Sequence, residues 1–268
     1  MCTGIYIKKY IFGRTLEFSY DLGYYIYKTD NIIGICNKDE KFLDGLNKYG
    51  LCVSIFKFDN KYAENNKKTM IKSTNYISDS DLVEFLLNNA KNVKDVLILL
   101  KEINIISDTY INKKLIQMHW SVVDSTGLAI VLELNSNNFL NIYKNDAYVI
   151  TNNPSFPEHI NSLKRLKNLS IYTKKGSEST GTGALGLPGD FSSVSRFIRA
   201  YFLLKNSKKS NINYINLAFH ILNSFDIPIG PVIDPYNKME KTYYTIVYDL
   251  QNFTAYYKTY DNQSILTF

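Results

Sequence analysis

The sequence predicts an α+β protein in which antiparallel strands and helices occupy separate stretches of the chain. Three observations lead there. Short runs rich in β-branched and aromatic residues fill residues 3–58, return between 119 and 150, and return again after 243. Apolar residues at helical spacing are confined to 78–102, 193–205 and 211–224. The chain has no strand–helix alternation, no GxGxxG and no P-loop, so a doubly wound sheet is not expected. No internal repeat and no Pro/Gly/Ser-rich linker interrupts the 268 residues, and one domain over 1–268 is expected.

The elements follow in order. Ile5-Tyr6-Ile7 is a strand, and a second runs over Tyr10 to Phe12, ahead of Gly13-Arg14. Tyr24 to Lys28 and Ile32 to Cys36 are β-rich runs. Asp44 to Gly50 has turn chemistry and leads into the apolar strand Leu51 to Phe56. Ser78 or Ser80 can cap a helix carrying Leu82, Phe85, Leu86 and Ala90, and a second helix covers Val93 to Glu102. His119 to Val123 and Ala129 to Leu134 flank Asp124-Ser125-Thr126-Gly127, a hairpin signal. Asn141 to Tyr143 and Tyr148 to Ile150 form another pair. Helices are expected over Ser193 to Lys205 and over 211–224, then strands over Tyr243 to Leu250 and Thr254 to Tyr260.

Composition narrows the function. The formal charge of +6 suits anionic ligands mildly. Its lysines are scattered in pairs such as Lys67-Lys68, Lys174-Lys175 and Lys208-Lys209, without the basic helix or stacking motif of a nucleic-acid protein. No apolar run approaches the roughly 18 residues of a membrane span, and no signal-peptide pattern opens the chain. Three cysteines, Cys2, Cys36 and Cys52, are too few for a disulfide framework, and a reducing cytoplasm fits them. Cys36 and Cys52 sit in apolar runs as core residues. His119, His159 and His220 lack metal-ligand spacing, and no metal or cofactor is expected. Asp190 reads equally as a turn, a cap or a catalytic residue.

Cys2 is where chemistry concentrates. Removal of Met1 gives it a thiol and a free α-amine, whose ordinary pKa of about 7.7–8.0 suits a general base near neutrality. One residue then supplies both nucleophile and base.

The segments around it resemble the choloylglycine hydrolase family, which contains bile salt hydrolases and penicillin V acylases. They are Met1-Cys2-Thr3-Gly4-Ile5, Phe12-Gly13-Arg14-Thr15-Leu16-Glu17, Asp44-Gly45-Leu46-Asn47 with Gly50-Leu51, and His119-Trp120 with Asp124-Ser125-Thr126-Gly127. Thr151-Asn152-Asn153-Pro154-Ser155-Phe156, the run from Leu185 to Phe197, and Tyr256 to Asn262 complete the set in family order.

The resemblance implies a four-layer αββα sandwich of the N-terminal nucleophile type and an amidase acting through a thioester on Cys2. It implies that Arg14 lies beside the nucleophile and tunes its thiolate. Glu17 stands where the family has an aspartate bonding the α-amine, one methylene longer. Asn152, rather than Asn153, matches the oxyanion asparagine. The second oxyanion donor falls on the Lys57 backbone N–H, at a position usually Asn or Tyr. Arg196 matches the arginine that supports the intermediate's charge.

The implied partner is a small N-acyl amide, with bile salts conjugated to glycine or taurine first and penicillin V or an acyl-homoserine lactone as the alternative. A ligand-binding relative that has lost catalysis is the reading from another class. Substrate-lining loops are expected near Leu16 to Tyr25, Phe56 to Tyr62 and Ile130 to Leu140. Family assembly implies a homo-oligomer, a tetramer or, since the Lys164 to Gly183 connection is short, a dimer.

Overall fold

The computed structural model describes residues 1–64, 75–111, 113–172, 183–208 and 210–268, with only the backbone described at 167 and 168. Lys67, Lys68, Lys174, Lys175, Lys209 and residues 173–182 of the connection from Lys164 to Gly183 lie outside the described residues.

The chain opens as a hairpin of β1 (Cys2–Ile7) and β2 (Ile11–Phe18), then forms a meander of β3 (Tyr25–Lys28), β4 (Ile32–Cys36), β5 (Phe42–Asn47) and β6 (Leu51–Lys57). The short parallel pair β7 (Tyr76–Ser78) and β8 (Asn104–Ile106) brackets α1 (Leu82–Asn89) and α2 (Val93–Leu99). A ribbon of β9 (Tyr110–Ile111) and β10 (Lys114–Leu115) precedes β11 (Met118–Asp124), β12 (Ala129–Leu134), β13 (Leu140–Lys144) and β14 (Val149–Ile150). Three helices follow, α3 (Phe156–Ser162), α4 (Ser193–Asn206) and α5 (Tyr214–Leu222), and then β15 (Lys241–Asp249), β16 (Thr254–Thr259) and β17 (Leu266–Thr267).

These elements make two antiparallel sheets flanked by helices, the α+β sandwich expected. One sheet has the order β14-β1-β2-β15-β16-β17 and the other β13-β12-β11-β6-β5-β4-β3. α4 and α5 cover the first sheet, and α1 and α2 cover the second. The first core lies between the two sheets and beneath α4 and α5, and includes Ile5, Ile7, Phe12, Leu46, Phe56, Phe197, Phe219 and Tyr248. The second, between the other sheet and α1 and α2, includes Val53, Leu86, Val96, Trp120 and Leu132. Burying one such large apolar side chain contributes about 1.5–3 kcal/mol. Cys52 belongs to the first core and Cys36 to the second, both as buried free thiols. Among the described residues, no helix is long and apolar enough to cross a membrane.

Several boundaries differ from expectation for identifiable reasons. Asp44 to Asn47 is strand, with the turn confined to Lys48-Tyr49-Gly50. Its polar side chains are buried and partnered: Asn47 donates to the Leu87 and Ala90 carbonyls, and Asp44 accepts from three side chains described below. Gly50 takes φ +84°, and a Cβ there would meet Ser125 Oγ at 2.5 Å and the Leu250 carbonyl oxygen at 2.7 Å. β2 starts after Tyr10 and continues through Gly13-Arg14, because the bare Gly13 backbone lets Leu222 of α5 pack directly on it. The residue before α1 is Asp81, whose side chain makes no capping bond, while Ser78 belongs to β7 and bonds Ser80 and Asp108.

Helix α3 was not among the expected elements. Its signal is the Ser155-Phe156-Pro157-Glu158 start, where Glu158 accepts from the Ser155 N–H at 3.2 Å and its hydroxyl at 3.1 Å.

Candidate active site

Cys2 begins β1, the strand between β14 and β2. The β1–β14 register pairs Gly4 with Ile150, and two further residues along each chain bring Asn152 opposite Cys2. The Asn152 side chain then bridges three elements. Its Oδ1 accepts from the Cys2 N–H at 2.8 Å and from Arg196 Nη2 at 2.8 Å. Its Nδ2 donates to the Lys57 carbonyl at 2.8 Å. Asn153, by contrast, turns away and accepts from the Asp59 N–H at 2.8 Å.

Arg196 lies in the first turn of α4, after Ser192, whose hydroxyl accepts from the Ser195 N–H. It is wholly buried. Its Nη1 donates to the Cys2 carbonyl and to Thr3 Oγ1 (2.8 Å), and its Nε donates to the Phe191 carbonyl at 2.9 Å. Burial pulls its pKa down, with Glu17, Cys2 and Glu240 opposing. Asp190 has a turn role here: Ser192 and Ser195 donate to its carboxylate, and these bonds hold its pKa down near 2.

Lys57 ends β6. Phe58 N–H donates to the Gln117 carbonyl, and alternate residues of an antiparallel strand bond the same neighbour. The Lys57 N–H and C=O therefore face away from β11, toward the edge that β5 leaves open after pairing Asp44 with Ser54. Asn152 meets the carbonyl on that side.

Arg14, on β2, is also wholly buried. Its Nη1 lies 3.2 Å from Asp44, 3.3 Å from Ser54 Oγ and 2.8 Å from the Ile55 carbonyl oxygen. Its guanidinium carbon lies 4.7 Å from the Phe56 ring centroid. Asp44 in turn accepts from the Tyr244 hydroxyl at 2.7 Å and from the Tyr248 hydroxyl. Sequence reasoning missed this support. Tyr244 and Tyr248 share one face of β15, yet nothing local to either ties it to Asp44.

Glu17 is wholly buried on β2. With Met1 in place its Oε1 accepts from the Thr242 hydroxyl at 3.3 Å, and its Oε2 has no hydrogen-bond partner among the described residues. The bond expected to Glu17 is from the α-amine that Cys2 gains on loss of Met1, and with Met1 present the Cys2 nitrogen is a backbone amide bonded to Asn152. The Met1 ammonium instead donates to the Glu17 backbone carbonyl and to Glu240 Oε2, the latter at 3.2 Å. Burial pushes the Glu17 pKa up, against Arg196, the N-terminal ammonium, Thr15 and Arg14.

His159 is another residue missed. Its ring stacks on Phe197 with centroids 4.6 Å apart, and its Nε2 lies 2.9 Å from the Asn152 carbonyl oxygen. That contact sets the proton on Nε2. Burial lowers the His159 pKa to about 4. His119 Nε2 lies 2.8 Å from the Thr151 carbonyl oxygen.

Cys2 and Arg14 line a cavity of about 300 Å³ whose walls include Leu16, Phe18, Leu22 and Tyr24, then Phe42, Ile55, Phe56 and Met118. Two of the three expected loops contribute. The third, Ile130 to Leu140, does not line it; its residues belong to β12 and its hairpin, and residues between Asn37 and Leu43, residues 108–111 and Ile116 take that place. The cavity wall is largely apolar, and Cys2 at the start of β1 lines it, with the Asn152 amide and the Arg196 guanidinium bonded to the Cys2 backbone. Such an arrangement suits attack on the carbonyl of an acyl group seated in the cavity.

Comparison with known proteins agrees with this architecture. The family model for linear amide C-N hydrolases of the choloylglycine hydrolase family matches residues 20–268. The uncharacterized protein A284L of Paramecium bursaria Chlorella virus 1 is 39% identical over 279 residues, spanning 99% of each chain. The bile salt hydrolase/transferase of Clostridium perfringens is 31% identical over 305 residues, spanning 99% of this chain and 91% of the relative. The crystal structure of the C2A mutant of conjugated bile acid hydrolase from Clostridium perfringens has a TM-score of 0.85 at 29% identity, covering 100% of this chain and 92% of that one. With two antiparallel sheets between helices and a match from residue 20 to the last, the chain belongs to the choloylglycine hydrolase family of linear amide C–N hydrolases, among the N-terminal nucleophile hydrolases.

Proposed function

We propose that the chain, after loss of Met1, hydrolyses the amide bond of bile salts conjugated to glycine or taurine through a thioester on Cys2. The observation that carries this reading is the Asn152 side chain, which joins Cys2, Arg196 and Lys57, with Cys2 and Lys57 also lining an apolar cavity. The relatives named as bile salt hydrolase/transferase support the choice of acyl group. Both sheets and α4 contribute residues to the site, which supports residues 1–268 acting as one catalytic unit.

The cycle uses the chain's own groups. The freed Cys2 amine takes the thiol proton, and the sulfur attacks the amide carbonyl carbon. The oxyanion is held by the second N–H of Asn152 Nδ2 and by the Lys57 backbone N–H. The C–N bond then breaks, and the leaving amine receives the proton. Water attacks the thioester, passing a proton to the Cys2 amine. The acid departs as that proton returns to sulfur. Arg196 supports the charge of the intermediate through Asn152. Arg14 favours the thiolate. Glu17 holds the α-amine, for which its unpartnered Oε2 is available.

The test is a product assay with glycocholate, taurocholate and penicillin V in parallel, with Cys2→Ser as control and intact mass to follow Met1. Release of glycine or taurine by the Met1-free chain alone is expected. Turnover of penicillin V alone would move the substrate to the other acyl class, and full turnover by Cys2→Ser would remove the nucleophile assignment.

A further inference from the structure

Beside the cavity at Cys2 lies a second one of about 200 Å³, and the two share Phe18, Lys57, Ile111 and Ile116 as a common wall. Their chemistry differs. The first is largely apolar along β2 and β6, whereas the second is lined by Lys57 and Lys114 together with Ser19, Tyr20, Asp234 and Tyr236. We propose that the second cavity is the subsite for the amine leaving group, and that Lys57 and Lys114 select amines bearing an anionic carboxylate or sulfonate.

The placement follows from Lys57 being at once a site residue and a wall residue. Its carbonyl is one hydrogen bond from Asn152, which is one hydrogen bond from the Cys2 nitrogen. Its side chain stands where the two cavities meet, with Nζ 6.0 Å from the Phe18 ring centroid. An amide attacked at Cys2 with its acyl group in the apolar cavity directs its nitrogen substituent across this wall. Among the described residues, no carboxylate pairs with Lys57 or Lys114 within salt-bridge distance. Lys114 Nζ lies 4.3 Å from the Tyr236 ring centroid and donates to the Tyr236 hydroxyl, which fixes the ammonium at the cavity edge.

Among the described residues, Asp234 is the one carboxylate on this wall, and its charge is already engaged. Its Oδ2 accepts from Ser19 at 2.7 Å, and its Oδ1 accepts from the Tyr236 and Lys238 N–H groups, each at 2.9 Å. Burial raises the Asp234 pKa, but these bonds and the charge of Lys57 outweigh it and hold the pKa below the ordinary range. Two ammonium groups against one satisfied carboxylate leave the cavity with an excess positive charge, the field a glycine carboxylate or taurine sulfonate requires. A neutral amine gains nothing from it, and a cationic one is repelled.

This inference rests on the amidase reading of Cys2, so its test separates the two. Binding is measured by calorimetry to the Met1-free Cys2→Ser protein, using cholyl and phenoxyacetyl groups each joined to glycine, glycinamide or ethylenediamine. Turnover of the same six amides is measured with the unsubstituted chain. The glycine conjugates are expected to bind about tenfold tighter than the glycinamides, the worth of one charge-assisted hydrogen bond, with the ethylenediamine conjugates weakest. Lys57→Glu and Lys114→Glu, each in the Cys2→Ser background, are expected to reverse the order of glycine and ethylenediamine conjugates. The second variant keeps the test informative if the first fails to fold. Equal binding across the three amines, or an order unchanged in both variants, overturns the subsite. Charge-selective binding without turnover upholds the subsite and overturns the hydrolase reading alone.

Discussion

Arg14 Nη1 and Asp44 Oδ2 lie 3.2 Å apart with neither side chain exposed, joining β2 of one sheet to β5 of the other. A buried carboxylate has its pKa pushed up by desolvation, and here Arg14, Tyr248 and Tyr244 pull it back. The Arg14 guanidinium does not give up its proton, so removing the Asp44 charge strands a buried cation. Asp44→Asn is expected to cost about 3–5 kcal/mol in urea unfolding. Tyr248→Phe, which removes one donor to a charged group, is expected to cost about 1.5–3 kcal/mol. An Asp44→Asn chain as stable as the parent would show that the pair does not fix Arg14.

That pair also marks the limit of what the sequence discloses. Helix α4 and strand β12 were legible, because apolar periodicity is local and Ser192 stands at the cap. Cys2, Arg14, Asn152 and Arg196 were singled out through the blocks that contain them, and the fold brings Cys2, Asn152 and Arg196 into hydrogen-bond contact. Asp44 and Asn47 read as turn residues because polar side chains in a strand are explained only by their partners, and those are about 40 or 200 positions away. The choice between Asn152 and Asn153 became physical only with the β1–β14 register. Pro157 and Glu158 did carry a local signal for α3, as a helix start just after Asn152.

Asn152 and Asn153 are adjacent and chemically identical, yet only the former faces Cys2. Asn152→Ala is expected to lower kcat by about 10²–10³, as for loss of an oxyanion donor. Asn153→Ala loses one bond to the Asp59 N–H and is expected to cost about 0.5–1.5 kcal/mol of stability. Steady-state kinetics on the same amide separates them. Equal losses of kcat would assign both residues to scaffolding.

Glu17 provides a test of which group is the base. A carboxylate beside an α-ammonium stabilises the protonated amine and raises its pKa. Glu17→Gln keeps the shape and removes the charge, so the amine pKa falls and the free base persists to lower pH. The acidic limb of kcat/KM against pH is then expected to move down by about 1 unit, whatever happens to the maximum rate. A limb that stays in place would uncouple Glu17 from the base.

His159 gives stability a pH dependence whose sign follows from its burial. Its pKa is about 4 in the fold, lowered by desolvation from 6.5. Between those values the unfolded chain binds the proton and the folded chain does not, so stability rises with pH across that window. Below it both states are protonated, and the stability that the neutral buried ring contributed is lost. Thermal unfolding is therefore expected to show Tm falling as pH is lowered from 6.5 toward 4. His159→Asn has no group titrating there and retains an N–H donor, so its Tm should vary less over the same range. The change should also loosen Asn152, whose carbonyl the ring holds, and kcat should fall along with the flattened Tm curve. A variant with the parent's pH slope would place the titration elsewhere in the chain.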